Sequence, residues 1–330
     1  VPFSHILGQD TVITTLTRAL DRGNVHHAYR FEGPDGVGKE LAAFALAQAL
    51  VCTSDVKTGC GACDACRRAV TLANEDPRTP LHPDVTLIER GLYSAETIGR
   101  KAAETNEISI NQIRRLVLSH AAFPPHEGRA RVFIVRRAEE LNVAAANALL
   151  KTLEEPRPNV HFILLTARGD RLLSTIRSRT LPVRFAPLSE THLRQILANR
   201  GLPADRCALA VELAAGSAST ALELVDEEGS KSRDDFIANM LRAAEASDLG
   251  AALAIADARD RGRDMLRADL RALAASLART GRADVEQAPH RAEIAARRYE
   301  ATLRALRNVD RNASPNLTLA TLVAEMQRAQ

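Results

Sequence analysis

Residues 33–40 read GPDGVGKE, and their types and spacing are those of a loop that cradles phosphate. Gly33, Gly38 and Lys39 match the pattern G-x-x-x-x-G-K, with Gly36 as a further glycine inside the loop. An apolar stretch, HAYRFEG, enters the loop as a strand, and KELAAFALAQAL leaves it as a helix. That arrangement aims backbone N–H groups and a helix N-terminus at a phosphate, while Lys39 offers a point charge to the terminal phosphates. The last letter breaks the pattern. A serine or threonine hydroxyl normally ligates Mg²⁺ there, and Glu40 cannot reproduce a short neutral ligand. Its carboxylate also faces the phosphates it should help to hold.

The other half of a magnesium site should be a strand ending in acidic residues. The candidate strand lies in RVFIVR (131–136), and it runs into Arg136 and Arg137. A guanidinium has no lone pair for a metal. The two departures are opposite in sign, and in a working site the two positions converge on one ion. Glu40 and Arg136 are therefore expected to pair where the ion would have been, and a separation beyond about 6 Å would exclude it.

Cys52, Cys60, Cys63 and Cys66 form C-x7-C-x2-C-x2-C just after the helix that leaves the loop. Four thiolates suit tetrahedral Zn²⁺, and with no histidine, carboxylate or open position the site would be structural. A redox C-x-x-C pair, or reduced cysteines packed as small hydrophobes, are the alternatives. Cys207 stands alone, and the pair His26 and His27 has no matching ligand set.

These residues need a scaffold, and the first half of the chain supplies alternating strand and helix signals. DVTLIE (84–89), RVFIVR and HFILLTA (161–167) read as apolar strands, and INQIRRLVLSHAA and NVAAANALLKTLEEP as helices between them, the second stopped by Pro156. A parallel sheet with helices on both faces follows from that alternation. Residues 91–107 show no periodicity and read as a mobile surface loop. From Ser189 onward only helical periodicities appear, with EEGSKS (227–232) read as a linker before a helical bundle.

At 330 residues the chain has room for two or three cores, and 45% apolar with 26% charged residues is the balance of a soluble globular protein. A net charge of +3 is too small to imply sequence-independent nucleic-acid binding. No apolar run is long enough to span a bilayer. No signal-peptide pattern opens the chain, Val1 reads as a trimmed start, and the expected compartment is the cytoplasm.

The strand and phosphate loop preceded by HHAY, the four cysteines, NALLKTLEEP (147–156) and SRT (178–180), in this order over roughly residues 3–225, resemble clamp-loader subunits of bacterial DNA polymerase III. The resemblance implies an α/β fold: an AAA+ P-loop-type parallel-sheet domain (1–186) with an inserted zinc module (52–66). A small helical lid (187–230) and an all-α collar (231–330) that assembles a five-subunit ring would follow. It also implies partners: gamma/tau and delta subunits, with the sliding clamp and primed DNA reached through the complex. The isolated chain is expected to be monomeric.

Within the family, the gamma/tau type hydrolyses ATP and the delta-prime type does not. The active type would carry threonine at Glu40, an Asp-Glu pair at Arg136 and Arg137, and a sensor arginine at Ser219 in GSASTAL, and all three are absent. Self-catalysed hydrolysis is therefore not expected, although ATP or ADP occupancy of the loop stays open. Arg179 matches the arginine finger that reaches into a neighbour's ATP site, with Arg177 as a nearby competitor. Thr180 departs from the usual cysteine of that triplet. Lys151, Glu154 and Glu155 would support the finger-bearing interface. The competing readings are an active gamma/tau-like ATPase and a zinc-ribbon nucleic-acid module. Three tyrosines, eight phenylalanines and no tryptophan leave little for base stacking and disfavour the latter.

Overall fold

Five short runs pair as strands, three of them rich in valine, isoleucine and phenylalanine, because branched and aromatic side chains pack well on a pleated surface. They are β1 (Ala28–Glu32), β2 (Val85–Ile88), β3 (Arg131–Val135), β4 (Val160–Thr166) and β5 (Leu181–Arg184). All pairs are parallel and the order across the sheet is β2-β3-β4-β1-β5. The computed structural model describes residues 2–99, 107–202, 204–225, 227–246, 250, 263–310 and 313–329.

Both faces of the sheet are covered, as a parallel sheet requires. In β3, Val132 and Ile134 join a core with the helix Lys39–Val51, while Phe133 and Val135 join a second core with the helix Val143–Glu154. Phe133 and Phe162 are register partners on β3 and β4, and their rings stack 5.2 Å apart on that second face. Asn142 caps the helix Val143–Glu154 by accepting the N–H of Ala145 at 2.8 Å, and the helix ends before Pro156, as expected. β5 hid from a period-2 reading because only Val183 of its four residues is buried; it is an edge strand, where Pro182 is tolerated.

Two expectations need correction. Residues 227–232 do not form a linker: the helix Glu227–Glu245 runs through them. A single glycine costs a helix about 1 kcal/mol, and the apolar face of Phe236, Met240, Ala243 and Ala244 further along outweighs it. The segment from Gly91 is irregular but anchored, since Ile98 is buried and the Tyr93 hydroxyl donates to the carbonyl of Leu87 at 2.6 Å. Residues 100–106 of that expected loop lie outside the described residues.

The chain divides into two compact units, Val1–His192 with Gly216–Ala218, and Leu193–Ala215 with Ser219–Gln330. Every regular element of the second unit among the described residues is a helix. Its bundle packs Glu227–Glu245, Arg263–Asp284, Pro289–Asp310 and Pro315–Gln327 around Met240, Leu270, Leu273, Leu322 and Met326. Arg298 is buried there and donates to the carbonyls of Ala244 and Met326, the last turns of two helices, where a cation is favoured. No helix among the described residues is long and apolar enough to cross a membrane.

Candidate functional site

The glycine loop sits between β1 and the helix Lys39–Val51, at the carboxyl ends of the strands where α/β sheets bind ligands. Gly33 is forced by packing: a Cβ there would lie 2.4 Å from the carbonyl oxygen of Phe185. Gly38 caps the helix with φ +98°, a conformation glycine adopts without strain. The Lys39 ammonium donates to the carbonyls of Gly33 and Pro34, both at 2.6 Å. Burial lowers its pKa from the ordinary lysine value.

Glu40 and Arg136 meet, as the opposite signs of their charges require. Nη2 of Arg136 donates to Oε1 of Glu40, and Nη1 donates to Oε2 of Glu89 at 2.7 Å. Burial works against the charge on Arg136, but the carboxylates of Glu89 and Glu40 outweigh it and hold its pKa above the usual arginine value. One guanidinium therefore bridges the first turn of the phosphate-loop helix to the residue that follows β2. Arg137 points elsewhere, 3.6 Å from Glu140. Glu89 was not legible as a partner, although a carboxylate directly after a strand that pairs with β3 was the available signal. Replacing Arg136 with methionine leaves two carboxylates facing each other at a half-buried place. The expected loss is roughly 1–3 kcal/mol, between surface and buried pairs. In urea unfolding the loss should shrink in a Glu40→Gln background; equal losses in both backgrounds would show that the Glu40 arm of the bridge contributes nothing.

The four cysteines form one cluster, with all four sulfurs within 4.8 Å of one another. The separations Cys52–Cys60, Cys52–Cys63 and Cys60–Cys66 are 3.7, 3.9 and 3.9 Å. A tetrahedral ion with metal–sulfur bonds of about 2.3 Å requires edges of about 3.8 Å, so the donor set fits zinc. The same separations exclude a disulfide, and all four thiols are free. Backbone N–H groups of Cys63 and Ala62, with the Ser54 hydroxyl, bring the Cys60 thiol down to about 5. At Cys63, burial opposes ionisation, yet N–H groups of Cys66 and Thr53 prevail and lower it, whereas burial pushes the Cys66 thiol up. Cys207 is buried in the second unit, away from this cluster in sequence.

Arg179 stands at the end of the short helix Ser174–Arg177. Its Nε and Nη2 both donate to Oε1 of Glu154, Nε at 2.7 Å, and Nη1 donates to the carbonyl of Thr175 at 3.0 Å and the hydroxyl of Ser178 at 3.1 Å. The pair is half-exposed and lines a cavity of about 590 Å³ with His26, His27, Leu153 and Thr180. The two histidine rings stack 4.3 Å apart and are spent on the backbone, His26 on Ala28 and His27 on the carbonyl of Leu153 at 2.9 Å. Arg177 is exposed. Ser219 lies in the helix Ala218–Val225 of the second unit.

A five-stranded parallel sheet with a glycine loop after its first strand, helices on both faces, and a helical C-terminal region define a protein of the AAA+ P-loop type. Residues 8–189 match the family model described as DNA polymerase III, delta subunit, and the chain belongs to that family. It is 33% identical over 232 residues to the DNA polymerase III subunit gamma/tau of Mycobacterium tuberculosis, covering 68% of this chain and 36% of that protein. With the DNA polymerase III subunit tau of Escherichia coli it shares 34% over 196 residues, 59% of this chain and 27% of that one. The chain thus spans about a third of the length of these relatives. In fold it is similar to a DNA polymerase III gamma-subunit-related protein from Thermotoga maritima, with a TM-score of 0.50 at 17% identity over 96% of this chain and 98% of that one.

Proposed function

We propose that this chain is a delta-prime-type, non-hydrolysing subunit of a DNA polymerase III clamp loader. It acts as a scaffold and donates Arg179 in trans to the ATP of an adjacent gamma/tau subunit while the complex places the sliding clamp on primed DNA. The observation that carries this reading is the Arg136 bridge to Glu40 and Glu89. Hydrolysis needs Mg²⁺ bound by a short hydroxyl and a strand-end carboxylate, and at both places the ligand is replaced and the replacement is already paired. The retained glycines and Lys39 leave ATP or ADP binding without turnover as the loop's remaining capacity. Zn²⁺ in the Cys52, Cys60, Cys63 and Cys66 cluster holds the module together and takes no part in chemistry. The division into an AAA+-like domain (1–186), a lid (187–230) and a collar (231–330) belongs to the same proposal, with the collar joining this chain to gamma/tau and delta.

The names of the 33–34% identical relatives favour a second reading, an active gamma/tau-like ATPase with unusual ligands. Purified alone, the chain is expected to hydrolyse ATP only at background rate, with or without primed DNA. Turnover that Lys39→Ala abolishes would overturn the scaffold reading and establish the second.

A further inference from the structure

Strand β1 carries an arginine where a strand buried on both faces should be apolar. Alternation along β1 puts Ala28, Arg30 and Glu32 on one face, and Ala28 packs there in the core shared with Leu149, Leu153 and Ile176. Arg30 is 7% exposed. A buried guanidinium is costly unless its donors are spent, and here Nε and Nη1 are spent on three acceptors. Its Nε donates to Oε1 of Glu32 at 2.5 Å. Its Nη1 donates to the carbonyl of Arg177 at 3.0 Å and to the hydroxyl oxygen of Thr180 at 2.8 Å. Arg177 and Thr180 bracket Arg179, two residues before it and one after.

A helix of four residues, Ser174–Arg177, cannot hold its own C-terminal carbonyls. Arg30 satisfies one of them from inside the fold. Thr180 completes the lock, since its hydroxyl donates to the carbonyl of Ile176 at 2.9 Å while accepting from Arg30. The departure of Thr180 from the triplet's usual cysteine thereby has a physical reason, because a thiol is a much weaker acceptor for a guanidinium. The two ends of Arg179 are held differently. Its backbone lies in a turn bonded twice from inside the fold between buried Ile176 and Thr180, while its tip is held by Glu154, whose side chain is 47% exposed.

We propose that Arg30, through Thr180 and the Arg177 carbonyl, is a positioning residue for Arg179. It fixes the base of the finger so that only the tip must exchange the Glu154 carboxylate for a phosphate. This inference rests on the finger reading above. A base displaced by about 1 Å can cost up to a hundredfold in rate, so Arg30→Met should lower kcat at the ATP site facing this chain by about ten- to a hundredfold. The KM for ATP and assembly of the complex should be unchanged.

The test is a mutant cycle in the reconstituted loader, reading kcat and KM for ATP and assembly by gel filtration. In an Arg179→Ala background, Arg30→Met is expected to change kcat no further. Thr180→Val, isosteric and without the hydroxyl, removes the bond from Arg30 and the bond to Ile176, and should cost about five- to thirtyfold, the equivalent of one to two hydrogen bonds. It also serves as the deciding variant should Arg30→Met fail to fold. If Arg179→Ala slows turnover but Arg30→Met and Thr180→Val do not, or act as strongly in its background, Arg30 is a structural residue and the inference falls alone. If Arg179→Ala itself has no effect, the finger reading falls and takes this one with it.

Discussion

Replacing Arg179 with alanine in the reconstituted complex is expected, on the proposed trans role, to slow hydrolysis at the neighbouring subunit's ATP site by about a thousandfold, the lower end for arginine fingers. A guanidinium brought to the transferring phosphoryl group stabilises charge that develops only in the transition state, so the loss should fall on kcat. Stability should hardly move. The pair with Glu154 is half-exposed, and such pairs contribute about 0–1 kcal/mol. Assembly, read by gel filtration, should be intact. The nearby Arg177 separates the alternatives, because its hydrogen bonds in the turn are all main-chain, the N–H donating to the carbonyl of Leu173 and the carbonyl accepting from Arg30. Arg177→Ala is expected to keep turnover, and the reverse pattern, with Arg177 essential and Arg179 dispensable, would move the finger to Arg177.

What the sequence disclosed and what it hid follow one physical line. The glycine loop, the cysteine cluster and the central strands were legible because each is set by local chemistry: a backbone conformation, a ligand spacing, an apolar run. The meeting of Glu40 and Arg136 was legible for a different reason. Two positions that must share one ion in a working site are neighbours whatever replaces them. Glu89 and Arg30 were not found, since each acts across strands, and a strand's apolar run does not say what a single charged residue within it will face. Arg30 in HAYRFEG did carry a signal, a charge inside a strand that must be buried. The helix through residues 227–232 was hidden by the opposite failure, a polar local sequence overruled by the apolar face that follows in the same helix.

The largest stability effect should come from the cysteine cluster. Structural zinc contributes folding free energy outright, on the order of 10 kcal/mol in small zinc domains, and less here because a packed sheet core surrounds the module. Cys52 and Cys66 are buried, and the side chain of Gln48 donates to the carbonyl of Cys66 at 2.9 Å, tying the short helix Asp64–Val70 to the helix Lys39–Val51. Elemental analysis is expected to give about one zinc per chain, lost on Cys63→Ser. Stability should fall by several kcal/mol with the metal. The decisive comparison is between single and double variants. If one ion holds four sulfurs, losing any ligand releases it, so Cys63→Ser and Cys60→Ser cost nearly as much singly as together. Reduced thiols packed as hydrophobes predict the other pattern, separate losses of about 1 kcal/mol that add. Additive losses in a chain without zinc would therefore return the cluster to simple packing. Non-additive losses with release of one zinc would make the ion the module's core, holding residues 52–66 together without altering the sheet that positions Arg179.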